Sequence, residues 1–507
     1  MNNPYDILKS PERAAVLVVG AGIMGAGIAQ IAAQAGHSVW LYDAKVDAAK
    51  EAIEKLATTL NKLVEKGKIS TEDAQSSLKR IHPAHSLDDA KDVALVIEAI
   101  VEKLEVKRSV MGALEAVVSA QCILATNTSS ISVTAIANGL KHPERMVGMH
   151  FFNPVPLMKL VEVVSGLQTD ANVAQALFDL SKAWGKIPVH AKSTPGFIVN
   201  RIARPYYAES LAIAQEQGAP YAVMDACLRS AGFRMGPFEL MDLIGHDTNF
   251  SVTSSVYGAN YYDKRFVPSL VQNALVDGGL LGRKTGQGFY DYRDGANTTV
   301  QVVAYEACAI PAHQRLVVHG SGAAIERLTA RLQLICCPYD HRIDSHWVGL
   351  EIDGQQLRQT DGRPATALAL PNMQTAVYDV AFNPVDGGAL AWSTHLNATT
   401  EFTQTMQQWL RALGFNALQM EDVPGLVVAR TLAMLINEAA DTVQQGVCSA
   451  EAADLAMKLG VNYPAGPFEW LNLWGVKPVV QVLDHLNDYY RGERYRVSPW
   501  LRLRSYS

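Results

Sequence analysis

The chain has 507 residues, 49% of them hydrophobic and 19% charged, with a net charge of −6. That length exceeds a single ordinary core and predicts three or four domains, while so mild an acidic balance excludes nucleic acid and an anionic membrane surface as charge-selected partners. The six cysteines, at 122, 227, 308, 336, 337 and 448, form no CxxC pair and meet no histidine at finger spacing, which predicts no disulfide frame, no zinc and a reducing cytosol. Met1 to Asp6 show no basic-then-apolar leader, and no apolar run reaches membrane-spanning length, so the expectation is a cytoplasmic protein without a membrane partner.

From Ala14 to about His190 short apolar runs alternate with helical patterns: Ala14 to Val19, Ser38 to Tyr42, Val93 to Ile97, Ile123 to Thr126, Met146 to His150 and Val161 to Val164. Alternation of this kind predicts an α/β Rossmann-type doubly wound sheet over residues 1–192. Within it, Ile53, Leu56, Leu60 and Leu63 recur at helical spacing, so Glu51 to Lys68 is expected to form a protruding amphipathic helix. Thr194-Pro195-Gly196 ends the alternation, and residues 193–295 read as an all-α domain closed by the Gly-rich segment Gly282 to Tyr290. Residues 296–410 read as a connecting, degenerate α/β domain, on the strength of Arg315 to Gly322 leading into a helical pattern from Ala323 to Leu332.

An internal repeat defines the last part of the chain. Pro424-Gly425-Leu426-Val427-Val428-Ala429-Arg430 echoes Pro195-Gly196-Phe197-Ile198-Val199-Asn200-Arg201, Glu438 falls where Glu209 does, and Ala465 to Glu469 echoes Met235 to Glu239. Residues 411–507 are therefore expected to be a second, degenerate copy of the all-α domain. Its alanine at 429, where the first copy has Asn200, predicts one active site per chain.

Gly20-Ala21-Gly22-Ile23-Met24-Gly25 follows an apolar run and opens an alanine-rich helix, the context in which a GxGxxG loop lets a dinucleotide pyrophosphate approach the backbone. Asp43, just past the next run, stands where an acid accepts from ribose hydroxyls; a carboxylate there repels a 2′-phosphate and predicts NAD. In open α/β sheets ligands gather beyond the carboxyl ends of the strands. His150 ends one run and Asn127 to Ser130 follow another, whereas Glu162 lies inside an apolar run, where a carboxylate requires a partner. Oxidising an alcohol needs a proton acceptor beside the hydride acceptor. His150 is expected to be that base, Glu162 its orienting acid, and Ser129 and Asn200 the groups that hold the reacting oxygen. No Cys, His and acid cluster has metal-ligand spacing, so no metal is expected.

These motifs, together with Ile97 to Glu102, Pro195 to Arg201 and Gly282 to Tyr290, resemble the 3-hydroxyacyl-CoA dehydrogenase family from about Ala14 to Tyr292. The resemblance implies NAD-dependent oxidation of (S)-3-hydroxyacyl-CoA to 3-oxoacyl-CoA. It implies further that Glu102, Lys107, Asn153 and Lys284 contact the cofactor, and that Thr59 and Lys66 meet the coenzyme A nucleotide. The length and the second helical copy resemble the long bacterial members associated with phenylacetate degradation, which implies 3-hydroxyadipyl-CoA or 3-hydroxybutyryl-CoA as substrate. Shorter members pair helical domains across a dimer, so the repeat predicts an intrachain pseudo-dimer and leaves homo-oligomers open. The competing readings are another two-domain NAD-dependent hydroxy-acid dehydrogenase, which would want a lysine as its acid-base residue, and a non-catalytic NAD-binding protein.

Overall fold

In a computed structural model of the chain, residues 5–293, 304–382 and 386–507 are described. They form two compact units, Met1–Arg201 with Gln445–Val461, and Ile202–Gln444 with Asn462–Ser507.

The first unit is built on an eight-stranded sheet. Its strands are β1 (Val16–Val19), β2 (Val39–Tyr42), β3 (Ile81–Pro83), β4 (Leu95–Glu98), β5 (Ile123–Thr126), β6 (Met146–Phe151), β7 (Leu160–Ser165) and β8 (Ile187–Lys192), in the order 3-2-1-4-5-6-7-8. All neighbours are parallel except β6 and β7. Strands β1, β4 and β5 are buried along their whole length, which is why they read as unbroken apolar runs. Between β1 and β4 the winding reverses, and this opens a crevice at the carboxyl ends of the strands. The amphipathic helix spans Ala48–Glu65 and does not simply protrude. Leu56 and Leu60 enter the core of the sheet domain, and the helix packs on a second one, Thr71–Lys79.

The second unit holds a seven-stranded mixed sheet between two helical layers. Its strands are β9 (Leu316–His319), β10 (Asp340–Arg342), β11 (Gly349–Ile352), β12 (Gln355–Gln359), β13 (Thr375–Tyr378), β14 (Gly388–Thr394) and β15 (Phe415–Gln419), ordered 10-9-11-12-13-14-15. Strand β9, Gly320-Ser321-Gly322, helix Ala323–Leu334 and the parallel β10 keep the nucleotide-type βαβ path. The path lacks the acid that stands beyond the second strand of the first sheet. Arg342 pairs with His319 as Tyr42 pairs with Val19, so Ile343 occupies the place of Asp43. Strand β15 also moves the expected start of the second helical copy from 411 to beyond 419, while the expected boundary at 295/296 lies outside the described residues.

Backbone conformation supports the repeat. Gly196 and Gly425 have φ of 77° and 74°, and the following Phe197 and Leu426 share φ of 45° and 51°. Glu239 and Glu469 each accept from the N–H that opens their helix, at Gly236 (3.3 Å) and Gly466 (2.8 Å). Matching helices of the two copies have exchanged sheets. Tyr221–Ser230 packs on β14 in the second unit, whereas its counterpart Ala450–Gly460 packs on β7 and β8 in the first, so the expected 411–507 block is not one spatial domain. Gly460 permits this contact: a Cβ there would come within 2.8 Å of Leu160.

Within the second unit, helices Arg204–Gln215 and Val428–Gln444 pack together, and the matched glutamates are bridged reciprocally. Arg494, from the second copy, meets Glu209 of the first at 2.7 Å, while Arg265, from the first, meets Glu438 of the second at 3.2 Å and also pairs with Asp441. Arg430 adds 3.0 Å contacts to Glu209 and Glu216. Burial makes this pairing obligatory, since an isolated charge in such a place costs several kcal/mol, on the order of 3–5 when one partner is lost.

Candidate active site

Two glycines of the nucleotide loop are required sterically. A Cβ on Gly20, whose φ is 106°, would lie 2.5 Å from the Ala99 carbonyl oxygen, and one on Gly25 would lie 1.7 Å from that of Gly20. Gly22 faces open space, and helix Ile23–Gln34 starts there with no side chain capping its N–H groups. Asp43 Oδ2 accepts from Ala21 N at 2.8 Å, which fixes the carboxylate beside the loop. Ile23 and Val101 are 79% and 60% exposed, apolar surface at the mouth of the crevice that has no role in the core. A free helix N-terminus, an open glycine cradle, an acid for ribose and apolar walls fit a dinucleotide such as NAD.

Beyond β4 and β5 a buried charge network shapes the next wall. Glu98 accepts from Ile100 N, Lys107 Nζ and Thr126 Oγ1, each at 2.7 Å. Lys107 also reaches Glu102 Oε2 at 3.1 Å and is only 1% exposed, so its ammonium stands behind Glu102 instead of opening to solvent. Glu102 Oε1 accepts from Thr128 Oγ1 (2.6 Å), Ser129 N (2.9 Å) and Ser130 N (3.2 Å). Burial opposes its ionisation, but the Lys107 ammonium and these hydrogen bonds outweigh it and hold the carboxyl below the usual range. Glu102 therefore sets the turn that carries Ser129.

His150 and Glu162 are register partners on the antiparallel pair β6 and β7. His150 Nδ1 lies 2.6 Å from Glu162 Oε2, and the other oxygen, Oε1, accepts from Ile198 N (3.0 Å) and Val199 N (3.1 Å). With both carboxylate oxygens taking donors, Nδ1 carries the proton. Nε2 then presents a lone pair, and it makes no hydrogen bond among the described residues. Phe152 and Phe197 flank the imidazole, their ring centroids 4.5 and 5.9 Å from its own. Asn200 follows the donors of Glu162 by one residue, and its Nδ2 lies 3.5 Å from the Ser129 carbonyl oxygen. Ser129, His150, Glu162 and Asn200 thus come together in the first unit. Such a group can take a proton from a hydroxyl while hydrogen-bonding its neighbours.

Asn127, at the head of the turn read from the sequence, and Lys186, which the sequence does not single out, support the site. Asn127 Oδ1 accepts from Phe151 N at 2.8 Å and ties the end of β6 to the turn after β5. Lys186 donates to the Val155 and Met158 carbonyls at 2.5 and 2.8 Å, bracing the exposed loop that begins at Asn153; burial pushes its ammonium down to about 8. Its signal, a lysine before the strand Ile187–Lys192, has no meaning until the loop is folded. Thr59 and Lys66 are exposed on the Ala48–Glu65 helix and just beyond it, the Thr59 hydroxyl donating to Lys55 O at 3.0 Å, and Lys284 lies in the second unit, half-exposed and paired with Asp247.

The sequence matches the family descriptions "3-hydroxyacyl-CoA dehydrogenase, NAD binding domain" over residues 15–194 and "3-hydroxyacyl-CoA dehydrogenase, C-terminal domain" over 196–292 and 425–504. Residues 357–424 match "3-hydroxybutyryl-CoA dehydrogenase reduced Rossmann-fold domain". It is similar to 3-hydroxyadipyl-CoA dehydrogenase of Escherichia coli K12, with 43% identity over 97% of both chains. Mitochondrial hydroxyacyl-coenzyme A dehydrogenase of Sus scrofa is 40% identical over 55% of this chain and 91% of its own. The crystal structure of 3-hydroxybutyryl-CoA dehydrogenase from E. coli K12 superposes with a TM-score of 0.88 at 43% identity, covering 98% of each chain. No helix among the described residues is long and apolar enough to cross a membrane. A glycine cradle for NAD, a histidine oriented by a buried glutamate and these matches together establish that the chain belongs to the NAD-dependent 3-hydroxyacyl-CoA dehydrogenase family.

Proposed function

We propose that this protein oxidises (S)-3-hydroxyacyl-CoA to 3-oxoacyl-CoA in the cytosol, with His150 as the general base. The observation that carries the proposal is the 2.6 Å contact between His150 Nδ1 and Glu162, which leaves Nε2 as the acceptor for the carbinol proton. Glu162 fixes the tautomer and stabilises the imidazolium without taking up the proton. Ser129 and Asn200 hydrogen-bond the reacting oxygen or the thioester carbonyl and so align the carbinol hydrogen. Bound NAD supplies the hydride acceptor. Gly20, Gly22, Ile23, Met24 and Gly25 cradle it, Asp43 takes its ribose hydroxyls, Asn153 and Lys284 add contacts, and Lys107 acts through Glu102, which shapes the nicotinamide wall. Thr59 and Lys66 are the contacts proposed for the coenzyme A nucleotide. The names of the E. coli relatives give 3-hydroxyadipyl-CoA and 3-hydroxybutyryl-CoA as the candidate substrates.

The reciprocal bridges Arg494–Glu209 and Arg265–Glu438 further support an intrachain pseudo-dimer, since mutual exchange of the same contact is the mark of a two-fold interface. The activity is tested by following NADH formation with the (S) and (R) forms of both thioesters. The proposal expects turnover of an (S) substrate with NAD; no turnover of either thioester would overturn it and favour a non-catalytic NAD-binding protein.

A further inference from the structure

In the sheet of the second unit β9, β10, β12 and β13 run the same way, and β11 and β14 oppose them. At the carboxyl ends of those four strands lies a cavity of about 270 Å³, close to the lower bound of small-molecule sites, about 300 Å³. Gly322 lines it after β9, Trp347 after β10, Thr360 after β12 and Phe382 after β13, and Trp474 closes it from the second helical copy. All of these residues belong to one unit, so the crevice is complete within it. Ligands of open α/β sheets gather in this position.

The walls carry the means to hold phosphate. A Cβ on Gly320, whose φ is 91°, would lie 2.9 Å from the Trp347 carbonyl oxygen, whereas one on Gly322 would meet nothing within 4 Å. These are the parts that Gly20 and Gly22 play in the first loop. The third glycine, which there brings the helix onto the strand, is replaced by Ile325, buried in the core. Arg327 also lines the cavity, half-buried, and makes no hydrogen bond or ion pair among the described residues. Asp361, the carboxylate in the wall, is already held by Arg363 at 2.5 Å and His485 at 3.5 Å. A shallow groove continues from the cavity, sharing His346 and Trp347 with it, and is lined by His341, Arg342 and Ile343. Ile343 stands where the first unit has Asp43, and Arg342 immediately precedes it. Arg342 is 53% exposed, and its contact with Glu351 is long, at 3.9 Å, because that carboxylate also meets His319 at 3.3 Å. An acid beyond the second strand selects ribose hydroxyls, whereas an arginine there accommodates a phosphate on the ribose.

We propose that this crevice is a second, non-catalytic coenzyme site, whose ligand is an adenine nucleotide with a phosphate on its ribose, the chemistry shared by NADP and coenzyme A. Arg342 meets the ribose phosphate, and Gly322 and Arg327 meet the phosphates that follow. Phe382 and Trp474, their ring centroids 5.4 Å apart, wall the arm beyond them. The site binds without oxidising. Phe382-Asn383-Pro384 repeats Phe152-Asn153-Pro154, which puts Val380 in the place of His150.

The test is calorimetric titration of the full chain, saturated with NAD to fill the first crevice, with 2′,5′-ADP, 3′,5′-ADP and 5′-ADP. At least one of the two ribose-phosphorylated probes is expected to bind about tenfold or more tightly than 5′-ADP, the scale of a hydrogen-bonded charge pair. Preference for the 2′-phosphate marks the NADP class, and preference for the 3′-phosphate marks coenzyme A. Arg342→Ser and Arg327→Gln, made separately, should each weaken that binding by about tenfold while NAD affinity and thermal unfolding stay as in wild type. No binding of either probe in the presence of NAD would overturn the proposal. So would binding that both variants leave unchanged, which places the nucleotide in the first unit, or 5′-ADP binding as tightly as the others, which removes the ribose phosphate from recognition.

Discussion

Replacing Glu162 with glutamine keeps the shape of the side chain and changes one atom from acceptor to donor, which the geometry around it does not tolerate. The carboxylate receives three donors: His150 Nδ1 at 2.6 Å on one oxygen, and the Ile198 and Val199 N–H groups at 3.0 and 3.1 Å on the other. An amide has one oxygen for these two places. If the oxygen faces His150, the amide nitrogen opposes two buried N–H groups, and leaving each unsatisfied costs about 1–3 kcal/mol. If it faces the backbone, Nδ1 must accept, the proton moves to Nε2, and the base is lost. The second arrangement is favoured by roughly 2–6 kcal/mol, so the working tautomer becomes a minor species and kcat falls by about 10³-fold. The same change of acid to amide costs about 10⁴-fold in a Ser-His-Asp triad for the same reason. The assay measures kcat from NADH formation and the NAD dissociation constant from cofactor fluorescence quenching. A fall in kcat of less than about tenfold, or a parallel loss of NAD affinity, would refute the tautomer argument and make Glu162 a fold residue.

Other expectations follow from the same geometry. Asp43→Ser removes the carboxylate that stands 2.8 Å from Ala21 N, so NADP-supported kcat/KM should rise relative to NAD by about tenfold or more, and an unchanged ratio would remove Asp43 from the ribose site. Arg265→Met takes away the cation shared by Glu438 and Asp441 and should destabilise the second unit by about 3 kcal/mol, seen as an earlier urea midpoint. His485 Nδ1 lies 2.7 Å from the Asp361 backbone carbonyl oxygen and 3.5 Å from its carboxylate in the same unit, and the hydrogen bond that the carboxylate accepts raises the histidine's pKa. A raised folded value means that the contribution is present below the unfolded pKa, near 6.5, and fades as pH climbs through the folded one. The gap in Tm between wild type and His485→Gln should therefore narrow steadily above about pH 7; a gap that widened would contradict the pairing.

How much of this was legible depended on how much local sequence each feature needs. The six runs read as strands became β1, β2, β4, β5, β6 and β7, because buried parallel strands are apolar along their length. The edge strands β3 and β8 were not read. Each contains a proline, Pro83 and Pro188, which argues against a strand until the edge position makes the lost donor harmless. Asp353-Gly354 between β11 and β12 is a hairpin signal that could have been used. Phe382-Asn383-Pro384-Val385, which repeats Phe152 to Val155, is another, although residues 383–385 lie outside the described ones. Pairing of His150 with Glu162 could be inferred because the two face each other in register. The Glu98–Lys107–Glu102 network could not, since it joins a strand end, a helix and a loop through side chains, and only the family resemblance implied Lys107 at the cofactor. Exchange of Tyr221–Ser230 and Ala450–Gly460 between sheets is likewise invisible in a repeat, which records similarity and not location.

The central claim is that His150 removes the carbinol proton, and single-turnover NADH formation in His150→Gln tests it most directly. With NAD bound and an (S)-3-hydroxyacyl-CoA in excess, the account predicts a rate lower by about 10³-fold or more, with NAD affinity and thermal unfolding like those of wild type. A variant that forms NADH within about tenfold of the wild-type rate would contradict it, because no other described side chain at the site has a free basic nitrogen to take that proton.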